Sequence, residues 1–195
     1  YRYTKRFEPS TDFSVTLPDG KVIKGKADVR NIISGGTIGD TDDVTEASRL
    51  GFCGGVRDED TTKASVICNE ISGGTIVSNF IGNYPNIADN TGSEIYNLIS
   101  GTAVFKNTLN GSYMKGTLDK VTNVITGNPT FEKSAFLGIR LGTVDEVENY
   151  IYGGTFNLYD ATVTSEKLTD SKASNGGNIN VFGTFNMDSG TVSNG

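Results

Sequence analysis

Carboxylates are the first residues to consider for acid or base chemistry in this 195-residue chain, because it contains no histidine. A Ser-His-Asp or Cys-His nucleophile and a histidine-rich metal site are therefore excluded within the chain. A glycoside hydrolase needs two or three carboxylates on one face, and a polysaccharide lyase needs carboxylate-bound calcium with a Lys or Arg base. The acidic clusters that could supply such groups are Asp40, Asp42 and Asp43; Asp58, Glu59 and Asp60; and Asp145 with Glu146.

The first two acidic clusters fall in predicted loops, where acidic residues are ordinary surface groups, and calcium binding is the alternative interpretation. A catalytic row would instead place carboxylates at one position of successive repeats. The position before the repeated asparagine described below does not do so, since it reads Arg30, Cys68, Tyr96, Thr122 and Glu148. The sequence accordingly predicts no catalytic residue and no cofactor, with calcium kept as the alternative.

Three tyrosines are the candidates for ligand binding. Tyr96, Tyr150 and Tyr152 occupy positions that should point outward in neighbouring repeats, beside Asn and Thr side chains. Exposed aromatic rings are the usual platform for a sugar ring. The tyrosines therefore indicate a carbohydrate-binding face, and the alternative is that they simply cover the sheet.

Charge and hydropathy exclude two classes of partner. The chain has 17 basic and 23 acidic residues, a net charge of −6, so it has no basic stripe for a nucleic-acid backbone. No run approaches the roughly 18 apolar residues of a membrane span, so we predict no membrane insertion by this segment. Its two cysteines, Cys53 and Cys68, would form either a small surface disulfide or two buried thiols.

One short pattern recurs five times along the chain. It consists of an apolar residue, any residue, Asn, any residue and Ile, and it would position the candidate tyrosines described above. The asparagines are spaced by 38, 28, 26 and 26 residues. Five copies at such spacings are very unlikely to arise by chance. The repeated residues are Asn31, Asn69, Asn97, Asn123 and Asn149, with Ile33, Ile71, Ile99, Ile125 and Ile151 two positions later.

Each copy continues into a glycine step and then a large apolar residue. The step reads Gly35-Gly36-Thr37 and Gly73-Gly74-Thr75 in the first two copies, and Gly153-Gly154-Thr155 in the fifth. Glycine there predicts a sharp corner between two strands. The large apolar residue, two positions before a later glycine, is Phe52, Phe80, Leu109 or Phe136.

A period near 26 residues is too short for a propeller blade and lacks the helical pattern of ankyrin or tetratricopeptide units. It predicts an all-β fold, a right-handed parallel β-helix with about 26–28 residues per coil over residues 27–195. Residues 55–65 and 162–177 are predicted loops. Residues 1–26 carry a hairpin signal around Pro18-Asp19-Gly20 and would be an N-terminal cap or a preceding coil.

Stacked coils would bring equivalent side chains into columns about 4.8 Å apart. The isoleucines, and the Val or Ile two positions before each asparagine, should point into the core. The asparagines have two interpretations: an internal ladder that satisfies buried polar atoms, or a sharp turn in which Asn tolerates positive φ.

The Asn-x-Ile-x-Gly-Gly-Thr units, the Phe-x-Gly step and a tail of the same type carry a family resemblance; the tail runs over 176–181 and 183–193. The chain resembles the repeat regions of very large, secreted or wall-anchored adhesin-like proteins of anaerobic, mostly Gram-positive gut and rumen bacteria. That resemblance implies an extracellular, cell-surface segment that projects as a stalk or forms a binding surface. Pro129 and the long first interval depart from the pattern.

The predicted function is therefore a structural and adhesive segment of a larger bacterial surface protein. Gly190-Thr191-Val192 looks like the start of another repeat, so we expect the chain to be a fragment. The expected partners are host or plant glycans, surface proteins, or further copies stacked end to end into a filament. The alternative function is a fragment of a polysaccharide lyase or glycoside hydrolase.

Overall fold

A computed structural model describes residues 11–39, 52–54, 66–82, 93–107, 109–112, 117–132, 135–139, 143–157, 179–181 and 184–193. Strands and turns make up these residues, as the all-β prediction requires. None of them belongs to a helix of the length and apolar character needed to cross a membrane. The predicted loops at 55–65 and 162–177 lie outside the described residues, as do the carboxylates Asp40, Asp42, Asp43, Asp58, Glu59 and Asp60.

Fifteen strands are described in chain order. They are β1 (Thr11–Thr16), β2 (Val22–Ala27), β3 (Val29–Ile38), β4 (Phe52–Cys53), β5 (Val66–Ile76), β6 (Phe80–Ile81), β7 (Glu94–Ile99), β8 (Val104–Phe105), β9 (Leu109–Ser112), β10 (Thr117–Ile125), β11 (Thr130–Phe131), β12 (Ala135–Ile139), β13 (Thr143–Asn157), β14 (Ile179–Val181) and β15 (Thr184–Ser193).

The first two strands form the predicted hairpin. β1 and β2 pair antiparallel from Thr11 opposite Ala27 to Thr16 opposite Val22. Their turn closes where the backbone N–H of Lys21 donates to Asp19 Oδ1 at 2.9 Å. The hairpin is a separate two-stranded sheet.

The repeats stack in parallel, one copy on the next, in the register that the sequence pattern predicts. Each repeated asparagine faces the next along β3, β5, β7, β10 and β13. A second parallel sheet runs in the order β14-β12-β9-β6-β4. Because the pairing is parallel and in register, each side-chain position of the repeat forms a column across the sheet.

The prediction of a right-handed parallel β-helix is wrong, because the main sheet closes on itself. Hydrogen-bonded strands run β5-β7-β10-β13-β11-β8 and return to β5, which makes a six-strand parallel barrel. β15 pairs with β13 from outside this ring, and β3 pairs with β5.

The closure has a local cause at the glycine steps, which were predicted as corners that end a strand. β5 and β13 instead run through them, bending at Gly74 (φ +86°) and Gly154 (φ +94°), a conformation that only glycine adopts readily. Within the ring, each of these strands therefore has two partners, one for each half. Two such double-length strands are what joins the sheet into a ring.

The core lies along the predicted isoleucine column. Ile71, Ile99, Ile125 and Ile151 are almost completely buried and pack together with Phe80 in one cluster. A second aromatic column in this cluster was not predicted: Phe105 lies in register with Phe131, and their rings stack with centroids 4.9 Å apart.

The predicted phenylalanine column is correct in its first members and wrong at its last. Phe52 faces Phe80, and Phe80 faces Leu109, as the spacing predicts. In β12, however, Ala135 faces Leu109 and Phe136 faces Asn110, with a register shift before Ile139. The one-residue difference follows from this irregularity, since a bulge changes the count of residues on one strand.

Candidate functional site: the asparagine ladder and the covered tyrosine face

The five repeated asparagines form a continuous ladder of side-chain hydrogen bonds. In each step the Nδ2 of one asparagine donates to the Oδ1 of the next, over 2.8 Å for the first step and 2.9 Å for the other three. Asn69, Asn97 and Asn123 are completely buried. Of the two interpretations of the sequence, the internal ladder is the correct one.

The ladder also joins the two parallel sheets. The second Nδ2 hydrogen of Asn31, Asn69 and Asn97 donates to the backbone carbonyls of Gly54, Gly82 and Gly111, at 2.6, 3.1 and 3.1 Å. Asn69 and Asn97 are thus each used as donor twice and as acceptor once, which removes most of the cost of burying their amides. The glycine carbonyls were not predicted as acceptors, although their recurrence after each large apolar residue was visible in the sequence.

The outward side of these strands is covered by the N-terminal hairpin. Its apolar residues are buried against one residue each of β5, β7, β10 and β13. The hairpin therefore lies across the face of the sheet instead of capping its end. The packed residues are Phe13, Leu17, Ile23 and Ala27 from the hairpin, and Cys68, Leu98, Val124 and Tyr150 from the sheet.

The three candidate tyrosines all lie at this hairpin. Tyr150 is only 8 % exposed, and Tyr96 and Tyr152 are partly buried against the same cluster. The ring of Phe13 lies 4.7 Å from that of Tyr96, whose hydroxyl donates to Glu94 Oε2 at 2.5 Å. Burial, together with this hydrogen bond, raises the pKa of Tyr96. The three tyrosines thus lie together at the hairpin, where Tyr150 is covered by protein and Tyr96 and Tyr152 are partly covered.

The hairpin turn is held by polar contacts to the last two tyrosines. The Tyr152 hydroxyl donates to Asp19 Oδ2 at 2.7 Å, and Lys21 Nζ donates to the Tyr150 hydroxyl. Lys21 Nζ also lies 4.3 Å from the centre of the Tyr150 ring. The pKa of Asp19 is lowered, first by the Lys21 backbone N–H and then by Tyr152. The pKa of Lys21 is raised, chiefly by its bond to Tyr150.

A lysine and two glutamates form a charged row beside the turn. Lys120 Nζ lies 3.1 Å from Glu146 Oε2 and 2.9 Å from Glu148 Oε2. Burial alone would raise the pKa of Glu148, but the hydrogen bonds from Lys120 and Tyr150 outweigh it and the pKa is lowered. A carboxylate held in its charged form is poorly suited to donate a proton as a general acid.

Thr122 lies between Tyr96 and Glu148 in the column before the asparagines. Its Oγ1 is buried and has no hydrogen-bond partner among the described residues. A buried hydroxyl without a partner costs free energy. This unpaired hydroxyl therefore lowers the stability of the folded chain.

Cys68 lies under the same hairpin as a free, fully buried thiol. Burial, with a further contribution from Glu70, raises its pKa to about 12. A thiol with so high a pKa is almost entirely protonated at neutral pH and is a poor nucleophile. Cys68 is therefore a structural residue in the closed state and a natural reporter of hairpin opening.

We expect Cys68 to resist alkylation by iodoacetamide until the hairpin opens. Phe13→Ala removes a ring that is 2 % exposed, and such changes cost about 3–5 kcal/mol, so labelling should accelerate roughly a hundredfold or more. Mass spectrometry of the Cys68 peptide separates this reaction from that of Cys53. Val22→Ala, at a 49 % exposed position of the same hairpin, is the control and should leave the rate unchanged. Labelling of the unaltered chain at the rate of a free thiol would contradict the covering role.

The described residues contain no group of three or more His, Cys, Asp or Glu side chains that could hold a metal ion. Of the predicted acidic clusters, only Asp145 and Glu146 are described, and Glu146 pairs with Lys120. No protein-family model matches the chain, and neither a search of curated proteins nor a search of solved structures finds a match.

Proposed function

We propose that this chain is a structural segment of a larger extracellular bacterial surface protein, with an adhesive margin at its hairpin. The observation that carries the proposal is the asparagine ladder, which joins five strands in register and ties them to the second sheet. A buried polar network with its partners in place rigidifies a core and fixes one register. Rigidity of this kind suits a segment that carries load or presents a surface at a fixed place.

The extracellular setting is supported by the resemblance of the repeat to adhesin-like regions. A polysaccharide-active enzyme is the alternative, and it would need a general acid other than Glu148, whose carboxylate is held in its charged form beside Lys120.

The adhesive margin consists of Asp19, Lys21, Glu148 and Tyr152. The Tyr152 ring is partly exposed here, and Lys21 and Glu148 retain 46 % and 27 % exposed side chains. A partly exposed ring surrounded by charged donors and acceptors is the arrangement that holds a sugar by its face and its hydroxyls. The ligand class that fits is a host or plant glycan.

A glycan array with the purified chain, run with calcium and again with a chelator, tests the adhesive role. We expect a glycan to be retained uncleaved, with weaker retention by Tyr152→Ala and unchanged retention by Val22→Ala. Cleavage of a bound glycan would support the enzyme instead. Absence of binding to every glycan would remove the adhesive role, while the structural role would still be tested by the stability measurements below.

A further inference from the structure

We propose that the edge of β3 that no described strand covers is a docking edge for an extended strand of the same repeat pattern, added in parallel from another polypeptide. The proposal rests on the structural part of the proposed function and names its partner and site. β3 pairs with β5 along one edge, and its other edge has no strand partner among the described residues. An unpaired edge presents a row of backbone donors and acceptors that another strand can use.

The direction of the ladder identifies what the partner must offer. Every step runs the same way, from Nδ2 of the earlier asparagine to Oδ1 of the later one. Asn31 donates to Asn69 and to the Gly54 carbonyl, and no described residue donates to its Oδ1. The open position of the ladder is therefore an acceptor, and the matching partner carries a side-chain amide donor at that position.

The apolar columns are incomplete at the same edge. Ile33 and Ile38 are only partly buried against the core, whereas Ile71 and Ile76, their partners in β5, are almost completely buried. Ile32 is 64 % exposed, although its column is buried at Leu98 and Val124. A further strand with apolar residues two positions before and two after its asparagine would cover the inward-facing members.

The chain itself shows that its pattern suits this mode of pairing. β5, β7, β10 and β13 each accept the preceding repeat in the register that brings asparagine to asparagine. β15, the strand at the opposite end of this order, places Phe185 opposite Asn149 and so lacks the donor. The partner strand must therefore carry the repeat pattern with its asparagine. The β15 strand of a second copy does not meet this requirement, because it has Phe185 at that position.

A synthetic peptide of residues 143–157 is the probe, because it contains the complete pattern and no cysteine. Aligned by its asparagine, it also brings Glu148 beside Arg30. The control peptide carries Asn149→Asp, which keeps the shape but replaces the amide donor with a second acceptor. Both are titrated into the full chain labelled with ¹⁵N, and backbone amide shifts are followed by NMR.

We expect the Asn peptide to shift amides within 29–38 and the Asp peptide to bind at least tenfold more weakly. Equal binding of the two peptides, shifts confined to other strands, or no binding up to about 1 mM would each overturn the proposal. The result is independent of the glycan array: a chain that binds the peptide and no glycan keeps the docking edge and loses only the adhesive role.

Discussion

Replacing Asn97 with alanine should lower the free energy of unfolding by about 3–5 kcal/mol, a large share of the roughly 5–15 kcal/mol that a domain possesses. Asn97 is completely buried at the centre of the ladder. Its removal leaves the Oδ1 of Asn123 without a donor and the Nδ2 of Asn69 without its side-chain acceptor. It also leaves the Gly111 carbonyl oxygen without its hydrogen-bond donor, the Asn97 Nδ2. Each buried group without a partner costs about 1–3 kcal/mol.

Urea unfolding followed by circular dichroism measures this loss as a lower midpoint with an unchanged slope. Asn128→Ala is the matched control, because Asn128 is exposed in a turn and only its backbone N–H makes a described hydrogen bond, to the Gly101 carbonyl. Its effect should stay below about 1 kcal/mol. If the two variants unfolded at the same urea concentration, the ladder would not be a major source of stability.

Gly82→Ala should destabilise the chain by about 3 kcal/mol or more, for a steric reason. A Cβ at Gly82 would lie 1.9 Å from the Gly111 carbonyl oxygen and 2.8 Å from Asn97 Oδ1. Since both are fixed by the sheet and the ladder, the two sheets would have to separate locally. Overpacking of this kind also breaks the hydrogen bond from Asn69 to the Gly82 carbonyl.

Gly35→Ala is the matched control for the glycine substitution. A Cβ at Gly35 meets no atom within 4 Å, and its φ lies outside the left-handed region. The free energy of unfolding of this variant should therefore differ from that of the unaltered chain by no more than about 0.5 kcal/mol. Equal midpoints for Gly82→Ala and Gly35→Ala would show that the sheets are not packed as closely at Gly82 as the structure describes.

The sequence was sufficient to predict the register of the repeats, because one side-chain pattern determined it. Asn at one position and Ile two positions later restrict each strand to a single alignment. A slip of one residue would turn Asn97 and the inward-facing isoleucine of its strand to the outer face of the sheet. The same reasoning failed at Phe136, where a register shift in β12 changes the count of residues without a signal in the spacing.

The closure of the sheet could not be predicted from the glycine steps alone. Gly-Gly-Thr occurs at corners and also inside bent strands, and the difference depends on which strands lie beside it. Gly74 and Gly154 lie in strands that pair across the bend, whereas Gly101 lies in a turn between β7 and β8. The local conformational preference of glycine is similar in all three cases. Pairing with distant strands decides whether the chain bends within a strand or leaves it.

The prediction for the three tyrosines assumed an open sheet face, whereas the hairpin packs on that face. Tyr96, Tyr150 and Tyr152 do point outward from the sheet, as alternation along a strand requires. The sequence also predicted a hairpin, but nothing in it indicated that Phe13 would pack on this face. Contacts between elements so far apart in the chain have no local signature, since any apolar hairpin face could bury any apolar sheet face.

Exchange of the asparagine side-chain amide hydrogens with solvent reports whether the ladder is buried and intact in the folded chain. In ¹⁵N-labelled chain moved into D₂O, we expect the Asn69, Asn97 and Asn123 amides to exchange roughly a thousandfold more slowly than that of Asn128, an opening free energy of about 4 kcal/mol. Exchange of the Asn97 amide as fast as that of Asn128 would contradict the ladder.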